Sequence, residues 1–240
     1  IHFLNFKNPK KFVKKVFRSA ISDIFCKGSK PIVYFLSLSI KTFKERWMRD
    51  FSSELYKDSK KYGLYLGGGD IVKSKKNSIT ISILGHSFKS PILRSTAKIN
   101  DDVYVTGNLG DSFLGLSVIK KKYNFSKFNN FYIKSYEKPI LPYKFSKFLY
   151  KFATSSIDIS DGLIKDMNII CKESKCGANL NLLKIPISNK SKNLIKNKKV
   201  KLLDFFSMGD DYQILFTAKK KSRKLILKYS RKLSTKITRL

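Results

Sequence analysis

Apolar residues in the first third of the chain alternate between helical and strand spacing. From Pro9 to about Lys27 they recur at helical intervals, with Asn8 placed as an N-terminal cap. The run PIVYFLSLSI is β-branched and aromatic, which predicts a buried strand. A second helix is predicted from Thr42 to about Tyr62, followed by strands in GLYLGGGD and SITISILGHSF.

A new unit begins near Arg94 and repeats one local order twice. DDVYVTGNLGDSFLGLSVIKKK and SSIDISDGLIKDMNIICKES each predict a strand, a glycine turn and a helix. GANLNLLKIPI and DYQILFTA predict further strands, and residues 219–233 predict a helix. This order predicts a mixed α/β (α+β) fold of the kind found in enzymes. With 240 residues, 42% of them hydrophobic, the chain can build one large or two modest domains.

The chain is strongly basic. Its 50 Lys and Arg residues against 17 Asp and Glu give a formal net charge of +33, which suits polyanion binding. The lysines are dispersed, however, and interleave with Ile, Asn, Phe and Tyr, all encoded by AT-rich codons. Codon bias and a functional basic surface therefore both stay open. No signature of a specific nucleic-acid-binding module is present.

The number and spacing of cysteines and the length of apolar runs indicate the cellular compartment. Cys26, Cys171 and Cys176 form neither a disulfide framework nor a CxxC metal spacing, which favours the reducing cytoplasm. The longest apolar run, residues 32–40, is far short of the roughly 20 residues that span a bilayer. Because the chain opens abruptly on IHFLNF without Met, we expect it to be a fragment.

Apart from Asp23, which lies within the first predicted helix, the informative acidic residues stand at turns, and glycine accompanies most of them. The set comprises Asp23, Asp70, Asp111, the pair Asp158 and Asp161, and the pair Asp210 and Asp211. Glycine turns at helix starts suit phosphate, but carboxylates repel it unless a cation such as Mg²⁺ lies between them. Taken alone, each segment is explained about as well by helix capping or turn formation as by metal and phosphate binding. The functional inference therefore depends on the order of the segments along the chain.

Taken in order, these segments carry a family resemblance. AISDIFCKGSKP, LGGGD, LRSTAKINDDVYVTGNLGDS, SSIDISDGL and MGDDYQILFT, preceded by IHF, resemble the thiamine-monophosphate kinase family of the AIR-synthase-like superfamily. The resemblance spans nearly the whole chain, and its last two motifs are the most specific.

The resemblance implies a two-domain fold and an activity. Residues 1–92 would form an N-terminal domain that contributes to a β-barrel shared by a homodimer, and residues 93–240 a C-terminal α/β domain. Both would be incomplete at their outer ends. The implied reaction is the ATP-dependent, Mg²⁺-assisted phosphorylation of thiamine monophosphate to thiamine diphosphate, in the cytoplasm and without a membrane or specific nucleic acid as partner.

The resemblance also assigns roles to residues. The implied Mg²⁺ ligands are Asp23, Asp70, Asp158 and Asp161. The implied ATP contacts are Gly69, Asp70, Arg94 and Ser160. His2 and Asp210 would face thiamine monophosphate. No catalytic side chain is implied, because the acceptor phosphate is itself the nucleophile.

Several positions depart from the family pattern. Ala20 replaces Asn, Lys27-Gly28-Ser29 replaces Met-Gly-Ala, Ile71 replaces Thr, and Asp210 replaces Glu. The open alternatives are another ATP-using AIR-synthase-like enzyme, a catalytically inactive fragment, and a basic nucleic-acid-binding protein.

Overall fold

A computed structural model describes residues 6–197 and 199–240. Its helices are α1 (Pro9–Cys26), α2 (Glu45–Tyr62), α3 (Asp111–Ile119), α4 (Asn129–Glu137), α5 (Tyr143–Ser146), α6 (Leu163–Ser174), α7 (Asn189–Lys196), α8 (Asp204–Ser207) and α9 (Arg223–Lys232). Its strands are β1 (Ser29–Ile40), β2 (Tyr65–Lys73), β3 (Ser78–Ser87), β4 (Asp102–Thr106), β5 (Ala153–Asp158), β6 (Ile214–Ala218) and β7 (Ile237–Arg239). The predicted mixed α/β class is confirmed.

The first sheet has β1 at its centre, parallel to β2 and antiparallel to β3. Alternate residues of β1, such as Tyr34, Leu36 and Leu38, are buried against α1 and α2. The residues between them, such as Phe35, point away from these helices and are exposed. This alternation is the signature of a sheet with one face in the core.

The second sheet is antiparallel throughout, in the order β5-β6-β4-β7. One of its faces packs on α3 and α6 through Leu215 and Val105. The other packs on α5 and α9 through Phe216. Within the described part of the chain, no helix is long and apolar enough to cross a membrane.

Helix α1 connects the two sheets. Its Asn8 cap accepts a hydrogen bond from Lys11 N at 3.1 Å, as predicted. Arg18, in the middle of the helix, bonds both carboxylate oxygens of Asp58 on α2 and also donates to Pro139 O. The first sheet and the segments around the second are therefore held by one helix.

Two sequence expectations differ from the structure. GANLNLLKIPI forms no strand, because the Asn181 side chain accepts a hydrogen bond from Leu183 N and starts a 3-10 turn over Leu182–Lys184. Leu183 is exposed, so the apolar pattern there does not mark a buried strand. The second helix begins at Glu45, three residues after the expected start.

The loop 208–211 lies against the turn after β5. Asp210 N donates to Ser160 O at 2.8 Å, and Tyr212 N donates to Ile159 O at 2.8 Å. A Cβ atom added at Gly209 would lie 1.8 Å from Ser160 O. Only glycine allows the two backbones to approach so closely.

The first prediction concerns this contact. Gly209→Ala forces the loop away from Ser160, and overpacking of this kind costs about 1–3 kcal/mol of the free energy of unfolding. Urea denaturation measures the loss. Gly177→Ala is the matched control, because a Cβ there meets nothing within 4 Å. Equal unfolding midpoints for both variants would contradict the described packing.

Candidate active site

A cleft of about 430 Å³ opens where α1, the segment after β3, the turn after β5 and α6 meet. It brings together five of the residues implied by the sequence, namely Asp23, Arg94, Asp158, Ser160 and Asp161. These residues span 139 positions of the chain, so the fold, rather than local sequence, assembles them.

Asp158 is the buried centre of the cleft. It is the last residue of β5 and is 5% exposed. Ser22 on α1 donates a hydrogen bond from Oγ to Asp158 Oδ2 at 2.5 Å. Asp23 follows Ser22 along the helix, so the same turn of α1 brings a second carboxylate to Asp158.

Both carboxylates have a raised pKa. Burial and, after it, the nearby Asp23 carboxylate raise the pKa of Asp158 to about 7, against the hydrogen bond from Ser22. Burial also raises the pKa of Asp23, while Lys27 and the hydrogen bond with Asp158 act to lower it. Such a pair becomes fully charged near neutral pH only when a cation compensates it.

This donor set fits a hard divalent cation. Ligand atoms of Asp23, Cys26 and Asp158 lie within 4.8 Å of one another. Burial strongly raises the pKa of the Cys26 thiol, which keeps it protonated and a poor ligand. The two carboxylates therefore provide the oxygen ligands that Mg²⁺ prefers.

Asp166 shapes the turn that carries Ser160 and Asp161. Its Oδ2 accepts hydrogen bonds from Asp161 N at 3.2 Å and Gly162 N at 3.1 Å. Burial raises its pKa to about 6. Sequence reasoning missed this residue, although an acid in the first turn of α6, directly after a Ser-Asp-Gly turn, is a recognisable signal.

Asp210 lies beside the cleft without lining it. Its backbone is bonded to Ser160, and its Oδ1 accepts hydrogen bonds from Lys15 Nζ at 2.5 Å and Tyr212 OH at 2.9 Å. The side chain is 27% exposed.

Two implied residues, Gly69 and Asp70, are not brought into the cleft. Gly69 and Asp70 lie on the exposed edge strand β2, paired with Leu36 and Ser37 of β1. The Asp70 carboxylate accepts a hydrogen bond from the next backbone N–H. His2 lies outside the described residues.

A second cavity, of about 370 Å³, lies at the TGNLGDS turn. Its two acidic residues, Asp111 and Asp211, accept hydrogen bonds from other parts of the fold. Asp111 accepts hydrogen bonds from Ser188 at 2.8 Å and Ser191 at 2.6 Å, and Asp211 accepts one from Gly110 N at 2.9 Å. Asp111 does not cap α3 with its side chain, since the N-cap residue is Gly110 and no side-chain cap hydrogen bond forms there.

Comparison with known proteins identifies relatives of this chain. Residues 1–87 match the family model described as AIR synthase related protein, N-terminal domain. The thiamine-monophosphate kinase of Buchnera aphidicola subsp. Schizaphis graminum is 41% identical over 228 residues, covering 93% of this chain and 69% of that protein. The enzyme of that name from Escherichia coli K12 is 32% identical over 225 residues, with 92% and 69% coverage.

Solved structures agree in fold. AaThiL complexed with AMPPCP and TMP superposes with a TM-score of 0.89 at 26% identity, covering 100% of this chain and 76% of that one. Thiamine-monophosphate kinase from Stenotrophomonas maltophilia K279a gives a TM-score of 0.91 at 23% identity, with 100% and 77% coverage. Together with the identities to curated relatives, the matches place this chain in the thiamine-monophosphate kinase family.

Proposed function

We propose that this protein transfers the terminal phosphoryl group of ATP to thiamine monophosphate and so forms thiamine diphosphate. The observation that carries the proposal is the cleft in which Asp23, Asp158 and Asp161 converge in a chain of net charge +33. Carboxylates gathered beside a glycine turn suit a metal–phosphate complex. The related AaThiL structure contains AMPPCP, a non-hydrolysable analogue of ATP, together with TMP.

Asp23, Asp158 and Asp161 are the residues that would hold Mg²⁺. The ion would supply charge neutralisation for the phosphates. Asp158 is fixed by Ser22, and the Asp161 backbone is fixed by Asp166, so these acids are pre-positioned before a ligand enters. Pre-positioning is what phosphoryl transfer requires most of a protein.

The remaining cleft residues bind and orient the substrates. Arg94 and Ser160 line the cleft and would contact the ATP phosphates through a guanidinium and a hydroxyl. Asp210, beside the cleft, would meet the acceptor, as would His2. An ionised phosphate oxygen of the acceptor attacks in line, so no side chain is needed as a general base.

A homodimer belongs to the same proposal. The face of the first sheet that points away from α1 and α2 exposes apolar side chains on all three strands, among them Phe35, Tyr65, Val72 and Leu84. Water contact with several apolar side chains on one face is unfavourable. A second copy of the chain would cover it, and Gly69 and Asp70 would then lie along the dimer contact rather than in open solvent.

We place this dimer in the cytoplasm. Cys26, Cys171 and Cys176 are free thiols, as expected in a reducing compartment.

The activity is tested with Asp161→Asn. The change removes one ligand charge and keeps the side-chain shape, so we expect phosphoryl transfer to fall on the order of a hundredfold. Asp50→Asn on α2, far from the cleft, is the control. The measurement is ATP consumption with and without Mg²⁺ and thiamine monophosphate. Wild-type turnover without either one, turnover on thiamine instead, or an undiminished variant would refute the proposal.

The dimer is tested with Leu84→Lys. Leu84 is 58% exposed on β3, and a charge there would have to be buried against the second copy. We expect the wild-type chain of 27.7 kDa to have twice that mass by light scattering, and the variant to be monomeric. Leu227→Lys, at a comparably exposed leucine of α9, should stay dimeric. A monomeric wild type would reject the interface.

A further inference from the structure

Lys15 is a buried lysine with no role in the proposal so far. Only 2% of the residue is exposed, although it lies on a helix that packs at the edge of the cleft. Its ammonium group contacts Asp210 Oδ1 at 2.5 Å and lies 4.1 Å from the ring centre of Tyr136 and 4.7 Å from that of Tyr212. A buried ammonium is costly unless it is paired, so these three partners are essential to it.

The backbone at Asp210 is held in a conformation that an L-residue rarely adopts. Its φ is 69°, and Tyr212, two residues later, has a φ of 51°. Left-handed conformations at non-glycine residues persist only when surrounding contacts enforce them. Lys15 supplies one such contact, from a helix 195 positions earlier in the chain.

The contacts of Asp210 leave one side of its carboxylate for a ligand. Among the described residues, Lys15 and Tyr212 both bond Oδ1, and neither bonds Oδ2. The Asp210 backbone is bonded to Ser160, which lines the cleft. Asp210 is therefore held beside a cleft residue through its backbone and Oδ1, while Oδ2 receives no hydrogen bond from Lys15 or Tyr212.

The charge of Lys15 also suits this position. Asp210 stands near a cleft that is already crowded with carboxylates and that would receive phosphates. An uncompensated carboxylate there would repel an anionic ligand, whereas the Lys15–Asp210 pair is neutral overall. The pair can still accept a hydrogen bond from an N–H donor of the ligand.

From this arrangement we propose that Lys15 is a positioning residue, which orients the Asp210 carboxylate toward the non-phosphate, N–H-bearing end of the acceptor and thereby sets acceptor affinity. The proposal rests on the proposed function. Lys15 is too buried to touch either substrate and takes no part in the transfer itself.

The test is Lys15→Met, which keeps the length and apolar contacts of the side chain and removes its charge. We expect the KM for thiamine monophosphate to rise about tenfold, equivalent to about 1.4 kcal/mol. The KM for ATP should stay within about twofold, because Arg94 and Ser160 are untouched. Lys14→Met, one residue away, is the control, since its partner Glu54 keeps Lys57.

A double-mutant cycle separates positioning from a merely structural role. If Lys15 acts through Asp210, Lys15→Met should add little to the KM change of Asp210→Asn, whereas independent effects would add. Additive effects, equal rises in both KM values, or an unchanged KM would overturn the inference. If Lys15→Met fails to fold, Lys15→Arg, which keeps the charge but moves it, should still raise the acceptor KM selectively. A wild-type protein that does not use thiamine monophosphate at all would instead refute the proposed function.

Discussion

The candidate site depends on two carboxylates, Asp23 and Asp158, that the fold brings together at a partly buried position. Asp158 ends a strand of the second sheet, and Asp23 comes from the helix that covers the first. Burial raises the pKa of both groups, and the Asp23 carboxylate adds to the rise at Asp158. Lys27 lowers the pKa of Asp23 against the effect of burial, and a divalent cation bound by both carboxylates would compensate their charge further.

Helix α1 makes this arrangement possible. Along one helix, Lys15 reaches Asp210, Arg18 reaches Asp58 and the segment before α5, and Ser22 reaches Asp158. The helix thus holds α2, Asp158 and the loop 208–211 in fixed positions relative to one another. A substitution that shifts α1 would displace the Asp23–Asp158 pair and Asp210 together. Substitutions on the outer face of the first sheet would act on assembly instead.

The sequence was informative where local chemistry decides the outcome. The cap at Asn8, the alternating burial of β1 and the two strand–turn–helix units follow from residue type and spacing. Family motifs marked Asp23 and Asp158, but their closeness depends on long-range packing that no spacing reveals. For the same reason, the sequence does not distinguish Lys15 from the many surface lysines. Its partner Asp210 is distant in sequence, and only the fold brings the two together. The strand predicted for GANLNLLKIPI does not form, because the Asn181 side chain starts a 3-10 turn there. The pattern of hydrophobic residues carries no information on such a side-chain hydrogen bond.

The central claim is that Mg²⁺ completes the Asp23–Asp158 pair, and proton release measures it most directly. With the pKa of Asp158 raised to about 7, the pair holds a proton at pH 6 and has lost it by pH 8.5. Since metal binding requires both carboxylates ionised, Mg²⁺ should displace about one proton at pH 6 and close to none at pH 8.5. Calorimetric titration in two buffers of different ionisation enthalpy gives the number of protons released per Mg²⁺ bound. Asp158→Asn should abolish this release. Binding of Mg²⁺ with no proton release at pH 6, or with equal release at both pH values, would contradict this account of the site.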